Sequence, residues 1–230
     1  MNIIVNGATR GIGKEVALLL AGKGNTVLIT GRNKDALKEI TSTDVSGKLI
    51  PCHLDISRLD RYESAFADTV SSSFDVVDIL INSAGYLVAK NFSDCTGEES
   101  RLMMETNFFG PAAVIRILLP FFKKGSHIVN ITSMGGFQGS VKYRGLSYYS
   151  ASKAALSCLS ECLAGEFVEA GIVVNCLALG SVQTEMLEEA FPGYRAPVNA
   201  REMAEFIVDF AIKGNKLFNG KVIPVAFSNP

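Results

Sequence analysis

The chain has 230 residues, 48% hydrophobic and 20% charged, with a formal net charge of -1. That length and apolar content support one packed α/β domain over 1–230, and the intermixed charges exclude the basic footprint of a nucleic-acid or anionic-membrane binder. With neither a charged leader ahead of an apolar run nor an uninterrupted apolar stretch of bilayer length, a cytoplasmic protein with no membrane partner is expected.

Short β-rich runs alternate with longer helical ones along the whole sequence. Strands are predicted at Asn2 to Asn6, Thr26 to Thr30, Lys48 to Cys52, Asp78 to Asn82, His127 to Ile131, Ile172 to Leu177 and Lys221 to Ala226. Helices are predicted at Ile12 to Lys23, Lys34 to Thr41, Leu59 to Ser72, Glu98 to Lys123, Ser147 to Glu169 and Ala200 to Lys213. The strand runs are continuously apolar, the pattern of strands buried on both faces. The expected fold is a doubly wound parallel sheet, a Rossmann fold of about seven strands with helices on both faces.

The first strand runs into Asn6-Gly7-Ala8-Thr9-Arg10-Gly11-Ile12-Gly13 and then into a helix. Glycines at 7, 11 and 13 let the backbone turn tightly and approach a pyrophosphate, while the helix start offers free N–H groups and a positive dipole end. The second strand ends in Gly31-Arg32, where an NAD-binding protein usually carries an acid for the ribose hydroxyls. Arg32, with Arg10 from the glycine loop, is suited to clamp a 2′-phosphate, so NADP(H) is favoured over NAD(H). At the next two strand ends, Asp55 suits an exocyclic adenine amine, and Asn82-Ser83-Ala84-Gly85 leaves room for a ribose and ring against the backbone. Ser133, at the fifth strand end, is placed to hold a carbonyl oxygen or oxyanion.

Tyr149 and Lys153 stand four residues apart at the start of a long helix, hence on one face. A nearby ammonium favours phenolate and moves a phenol's pKa of about 10 toward the range useful for proton transfer. Tyr148 and Tyr143 have serines at that offset, so the spacing selects Tyr149. The same helix has apolar residues over more of its circumference than one sheet contact covers, which predicts a second partner. His53 and His127 lack a second ligand at motif spacing, and the five cysteines lack a Cys-x-x-Cys pair, so no metal site is expected and the thiols are read as reduced and buried.

These elements resemble the short-chain dehydrogenase/reductase family over nearly the whole chain: Gly7, Gly11 and Gly13, Asn82 to Gly85, Asn107, Ser133, and Tyr149 with Lys153. The resemblance implies a catalytic tetrad of Asn107, Ser133, Tyr149 and Lys153. In it the tyrosine exchanges the proton, the serine steadies the substrate oxygen, the lysine bonds the nicotinamide ribose and lowers the tyrosine pKa, and the asparagine positions a relay water. It further implies that Gly180, Val182 and Thr184 border the carboxamide, and that the Glu98 to Lys123 and Ser147 to Glu169 helices pair into a homodimer or homotetramer. Asn6, Ser83 and Leu179 depart from the family's threonine, asparagine and proline, and the substrate-covering segment at about 185–198 is short.

The reading is an NADP(H)-dependent oxidoreductase acting on a carbonyl or secondary alcohol of a small molecule. A non-catalytic dinucleotide-binding sensor or scaffold, or an NADP-using epimerase or dehydratase, is the alternative. Between Ser133 and Tyr149, Lys142 and Arg144 lie among apolar residues with no acid. They are either solvated loop charges or a receptor for an anionic group on an apolar substrate.

Overall fold

The structure, a computed structural model, describes residues 1–227; the last three residues of the expected 1–230 domain lie outside the described residues. Seven strands form one all-parallel sheet: β1 (Asn2–Asn6), β2 (Thr26–Gly31), β3 (Lys48–His53), β4 (Ile79–Asn82), β5 (His127–Ser133), β6 (Val173–Leu179) and, at the far edge, β9 (Val222–Val225). Their order is β3-β2-β1-β4-β5-β6-β9, so the chain turns back across the sheet between β1 and β4. The strand ends fall within one or two residues of the expected ones.

The continuously apolar strands divide their side chains between two cores. Ile3 and Val5 of β1, with Val27 and Ile29 of β2, face α1 (Gly11–Gly22), α2 (Lys34–Thr41) and α8 (Ala200–Lys213). Ile4 and Leu28 point the other way, into α3 (Glu63–Ser73), α5 (Gly110–Leu118) and α6 (Ser147–Glu166). Alternating positions of one apolar run thus bury both faces of the sheet.

The helix expected over Glu98 to Lys123 is interrupted. α4 (Gly97–Met104), opened by a Thr96/Glu99 capping box, passes into a π turn at Glu105–Phe109, and α5 follows, ending in a 3-10 turn at Leu119–Phe121. Pro111 has no N–H, so the carbonyl of Asn107 lacks its i+4 donor just where the winding changes. The combined stretch Gly97–Phe121 has the length and mean hydropathy of a membrane-crossing helix, but it is interrupted by Glu98, Glu99, Arg101, Glu105 and Arg116. In this fold it lies against the sheet, with Val114, Ile115 and Leu118 in the second core.

Three short elements were not anticipated: β7 (Val182–Gln183), β8 (Val198–Asn199) and, between them, α7 (Glu185–Ala190). β7 and β8 pair with each other in a separate two-stranded sheet, so the 185–198 segment is closed at its base rather than running as an open loop. The thiol expectation also needs correction. Cys52 and Cys176 are buried, Cys95 is half-buried, and Cys158 and Cys162 are exposed on α6.

Candidate active site

The glycine loop, the carboxyl ends of β2, β4, β5 and β6, and α7 enclose a cavity of about 750 Å³. It lies at the strand-order reversal, where doubly wound sheets leave a crevice. The loop fits a pyrophosphate on steric grounds. Gly7 has φ +76°, and a Cβ there would stand 2.5 Å from the Ala84 Cα; one at Gly13 would stand 2.2 Å from the Gly7 oxygen. Only glycine lets the loop close on itself and on β4. α1 starts at Gly11 with no acid in its first turn, so its free N–H groups and dipole favour an anion. Thr9, Arg10, Gly11 and Ile12 line the cavity with Gly7 and Gly13.

At the end of β2, a Cβ on Gly31 would meet Thr9 Cγ2 at 2.3 Å, so an acid there would have to displace Thr9. Arg32 beside it is exposed and lines the cavity. Arg10 also lines it but is not the free second cation that was expected, because its guanidinium bonds the Glu189 carboxylate of α7. That hydrogen bond raises the Arg10 pKa and lowers that of Glu189. The pairing spans 179 residues and has no local sequence signal.

Asp55 lines the cavity, with Oδ1 accepting from Ser57 N and Oγ at 3.1 and 2.7 Å. Ala84 and Gly85 line it as expected, but Asn82 does not. The Asn82 side chain lies in the sheet, 1% exposed, accepting from Asn6 Nδ2 at 2.6 Å and donating to Asn130 Oδ1 at 2.7 Å. It is a strand-to-strand link, because the register sets Asn6, Asn82 and Asn130 side by side.

Asn107 sits in the π turn, fully buried and away from the cavity wall, and its side chain is entirely engaged. Oδ1 accepts from Tyr86 N at 2.8 Å, while Nδ2 donates to Tyr86 O and to Ser152 Oγ, both at 2.9 Å. The amide thus ties the Gly85-Tyr86 strand exit to α6. Gly85 occupies the space between: a Cβ there would stand 3.5 Å from Lys153 Nζ and 3.6 Å from Asn107 Oδ1.

Ser133, Tyr149 and Lys153 all line the cavity. Ser133 closes β5, its Oγ accepting from Gly135 N at 3.1 Å. A Cβ on Gly136 would stand 2.6 Å from Ala154 N, so that glycine lets the end of β5 lie directly on α6. Lys153 Nζ lies 6.0 Å from the Tyr149 ring centroid and donates to Ile131 O at 3.0 Å. Burial lowers the Lys153 pKa to about 8, against a smaller raising effect from Cys176. Burial raises the Tyr149 phenol to about 12, with the Ser133 hydroxyl pulling the other way. The lowered phenol implied by the family is therefore not produced by the protein's own groups; desolvation outweighs them. Tyr148 does not line the cavity and stacks instead on Phe92, centroids 5.2 Å apart.

Beyond β6, Gly180, Val182 and Thr184 line the cavity, and Thr184 Oγ1 also caps α7 by accepting from Leu187 N at 3.3 Å. Leu179, unlike proline, keeps its N–H, and β6 runs through it in register with Ser133 on one side and Val225 on the other. Met186, Leu187, Phe191 and Tyr194 form an apolar wall that no sequence motif marked. The one available signal was the apolar spacing just after Thr184.

A family model described as short chain dehydrogenase matches residues 1–195. An uncharacterized oxidoreductase of Staphylococcus epidermidis is 30% identical over 209 residues, covering 89% of this chain and 88% of that protein. Two solved structures share the fold at 24% identity. One is a short chain dehydrogenase from Burkholderia cenocepacia J2315 in complex with NADP (97% of this chain and 95% of that one, TM-score 0.86). The other is a 3-ketoacyl-(acyl-carrier-protein) reductase from Brucella melitensis complexed with NADH (99% and 97%, TM-score 0.87).

Proposed function

The chain belongs to the short-chain dehydrogenase family of oxidoreductases, and on that premise we propose that it is NADP(H)-dependent and moves hydride between nicotinamide and a carbonyl or secondary alcohol of a small molecule. The observation that carries this reading is the meeting of Ser133, Tyr149 and Lys153 on the same cavity as the glycine cradle. Lys153 is 4% exposed, and burying an ammonium costs folding free energy that a non-catalytic dinucleotide scaffold has no reason to bear.

Bound nicotinamide dinucleotide supplies or accepts the hydride. Tyr149, held protonated at neutral pH by burial, gives its phenolic proton to the substrate oxygen as charge develops there. The Ser133 hydroxyl donates to the same oxygen and holds it beside the phenol. Lys153, with a pKa near 8, keeps its ammonium at neutral pH beside the phenol, and would bond the cofactor ribose from there. Asn107 fixes the Tyr86 backbone against α6, and so positions Gly85 beside Lys153.

The preference for NADP(H) rests on the Gly31-Arg32 pair, where an acid at 31 would have to displace Thr9 and Arg32 supplies a cation. The Burkholderia relative binds NADP and the Brucella one NADH, so this local chemistry carries the choice. Following NADPH absorbance over a panel of ketones, aldehydes, quinones and 3-oxoacyl thioesters tests the activity. Consumption with at least one carbonyl class is expected; a protein that binds NADPH yet oxidises it with none would contradict the reading.

A further inference from the structure

The geometry points to Arg144 as a specificity-determining residue that selects substrates carrying a carboxylate or comparable anionic group on an apolar body. This inference rests on the carbonyl-reductase reading of the same cavity.

The loop between β5 and α6 carries two cations, Lys142 and Arg144, in different places. Lys142 does not line the cavity; its Nζ donates to Phe137 O at 2.6 Å and to Ser140 Oγ at 2.8 Å, within its own loop. Arg144 does line the cavity. Leu146 N donates to Tyr143 O at 3.3 Å and Gly145 has φ +85°, so Arg144 sits at the second position of a turn that requires glycine at the third. That turn is pinned from outside by Lys90 N, which donates to Gly145 O at 3.0 Å.

The guanidinium is oriented as well as positioned. Arg144 Nε donates to Asn91 Oδ1 at 2.9 Å, which fixes the plane of the group. Among the described residues, Arg144 forms no ion pair. The acids that follow Asn91 are engaged elsewhere: Asp94 accepts from Asn91 and Ser93, and Glu99 pairs with Lys90. Leu87, Tyr143, Leu146, Met186 and Tyr194 line the same cavity and supply surface for an apolar body. An oriented guanidinium with unengaged Nη groups beside an apolar wall matches a planar anion held by two parallel hydrogen bonds. Arg32 and Arg10 line the same cavity but from the glycine loop and the end of β2, the side assigned above to the dinucleotide.

A matched pair of probes decides the matter: 4-carboxybenzaldehyde, anionic at neutral pH, and its neutral methyl ester, each assayed with NADPH against wild type and Arg144→Gln. The acid should show the lower KM in the wild type. Arg144→Gln should raise the KM for the acid on the order of tenfold, leaving kcat for both probes and KM for the ester unchanged. Equal KM changes for acid and ester, or none, would overturn the assignment. If the wild type reduces neither aldehyde, that failure belongs to the carbonyl-reductase reading, and calorimetry settles the role of Arg144 separately. 4-(Hydroxymethyl)benzoate should then bind the NADP-loaded wild type and be weakened in Arg144→Gln, whereas absent or unchanged binding would overturn the role.

Discussion

Nδ2 of Asn6 donates to Oδ1 of Asn82 at 2.6 Å across the β1–β4 pair, and the contact belongs to a buried chain that crosses the sheet. Thr30 Oγ1 donates to Asn6 Oδ1 at 2.9 Å, Asn82 passes to Asn130 at 2.7 Å, and Asn130 reaches Ser160 Oγ of α6 at 2.9 Å. The chain ties the strand that ends at the cofactor-side arginine to the helix that carries Tyr149 and Lys153. Removing one member strands a buried donor and a buried acceptor. Asn82→Ala should therefore lose about 2–5 kcal/mol in urea unfolding, at roughly 1–3 kcal/mol for each unsatisfied group plus the lost packing. A loss below about 0.5 kcal/mol would show that water replaces the links.

Cofactor choice is expected to follow Arg32 more than Arg10, because Arg10 must exchange Glu189 for any phosphate it binds. NADPH should bind more tightly than NADH. Arg32→Asp should erase or invert that order, a lost charge-assisted bond being worth about 1.5–3 kcal/mol. Arg10→Ala should cost less than Arg32→Ala. Fluorescence titration of both cofactors measures this, and equal or tighter NADH binding by the wild type would contradict it.

His127 predicts an acid-sensitive fold. Its Nδ1–H donates to Ala211 O at 2.9 Å, Nε2 accepts from Asn175 Nδ2 at 3.0 Å, and burial lowers its pKa from 6.5 to about 4. Between those pH values the unfolded chain binds the proton and the folded one does not. The contribution is therefore complete above pH 6.5 and is lost as pH falls to about 4, by about 3 kcal/mol at 1.36 kcal/mol per pH unit. Urea unfolding of the wild type and His127→Gln across this range should show the extra loss in the wild type alone; parallel curves would contradict it.

Assembly is expected to use the side of α6 that the sheet does not cover. Ala151, Cys158 and Cys162 are exposed there, and Phe109 and Leu119 are 50% and 38% exposed on the neighbouring helical stretch. Self-association about a two-fold axis buries such surface against itself. Sedimentation at micromolar concentration should give a dimer or tetramer, and Cys162→Arg should shift it toward monomer. A monomeric wild type would refute this.

The sheet was legible because continuous apolar runs and regularly spaced glycines are local signals, and each of the seven strands carried one. The π turn at Asn107 was not, since apolar periodicity runs across Glu105 to Phe109 without a break and only Pro111 hints at a change of winding. Pairing of two-residue strands such as β7 and β8 is set by distant chain rather than by propensity. The same is true of the Arg10–Glu189 contact and of the inward turn of Asn82. The phenol's environment is not legible for a related reason: the spacing of Tyr149 and Lys153 gives their shared face, while desolvation depends on everything packed around them.

The central claim is that Tyr149 is the proton donor of a reductase. Its most direct measurement pairs the single-turnover rate of carbonyl reduction with NADPH affinity in Tyr149→Phe, on a substrate the wild type reduces. Phenylalanine keeps the ring and removes only the hydroxyl, so the account predicts turnover reduced at least about a thousandfold, a loss of roughly 4 kcal/mol of transition-state stabilisation, with NADPH affinity within about twofold of wild type. Tyr148→Phe, changed at the stacked neighbour outside the cavity, should retain most activity. A Tyr149→Phe enzyme that turns over at a rate near that of the wild type would contradict the account.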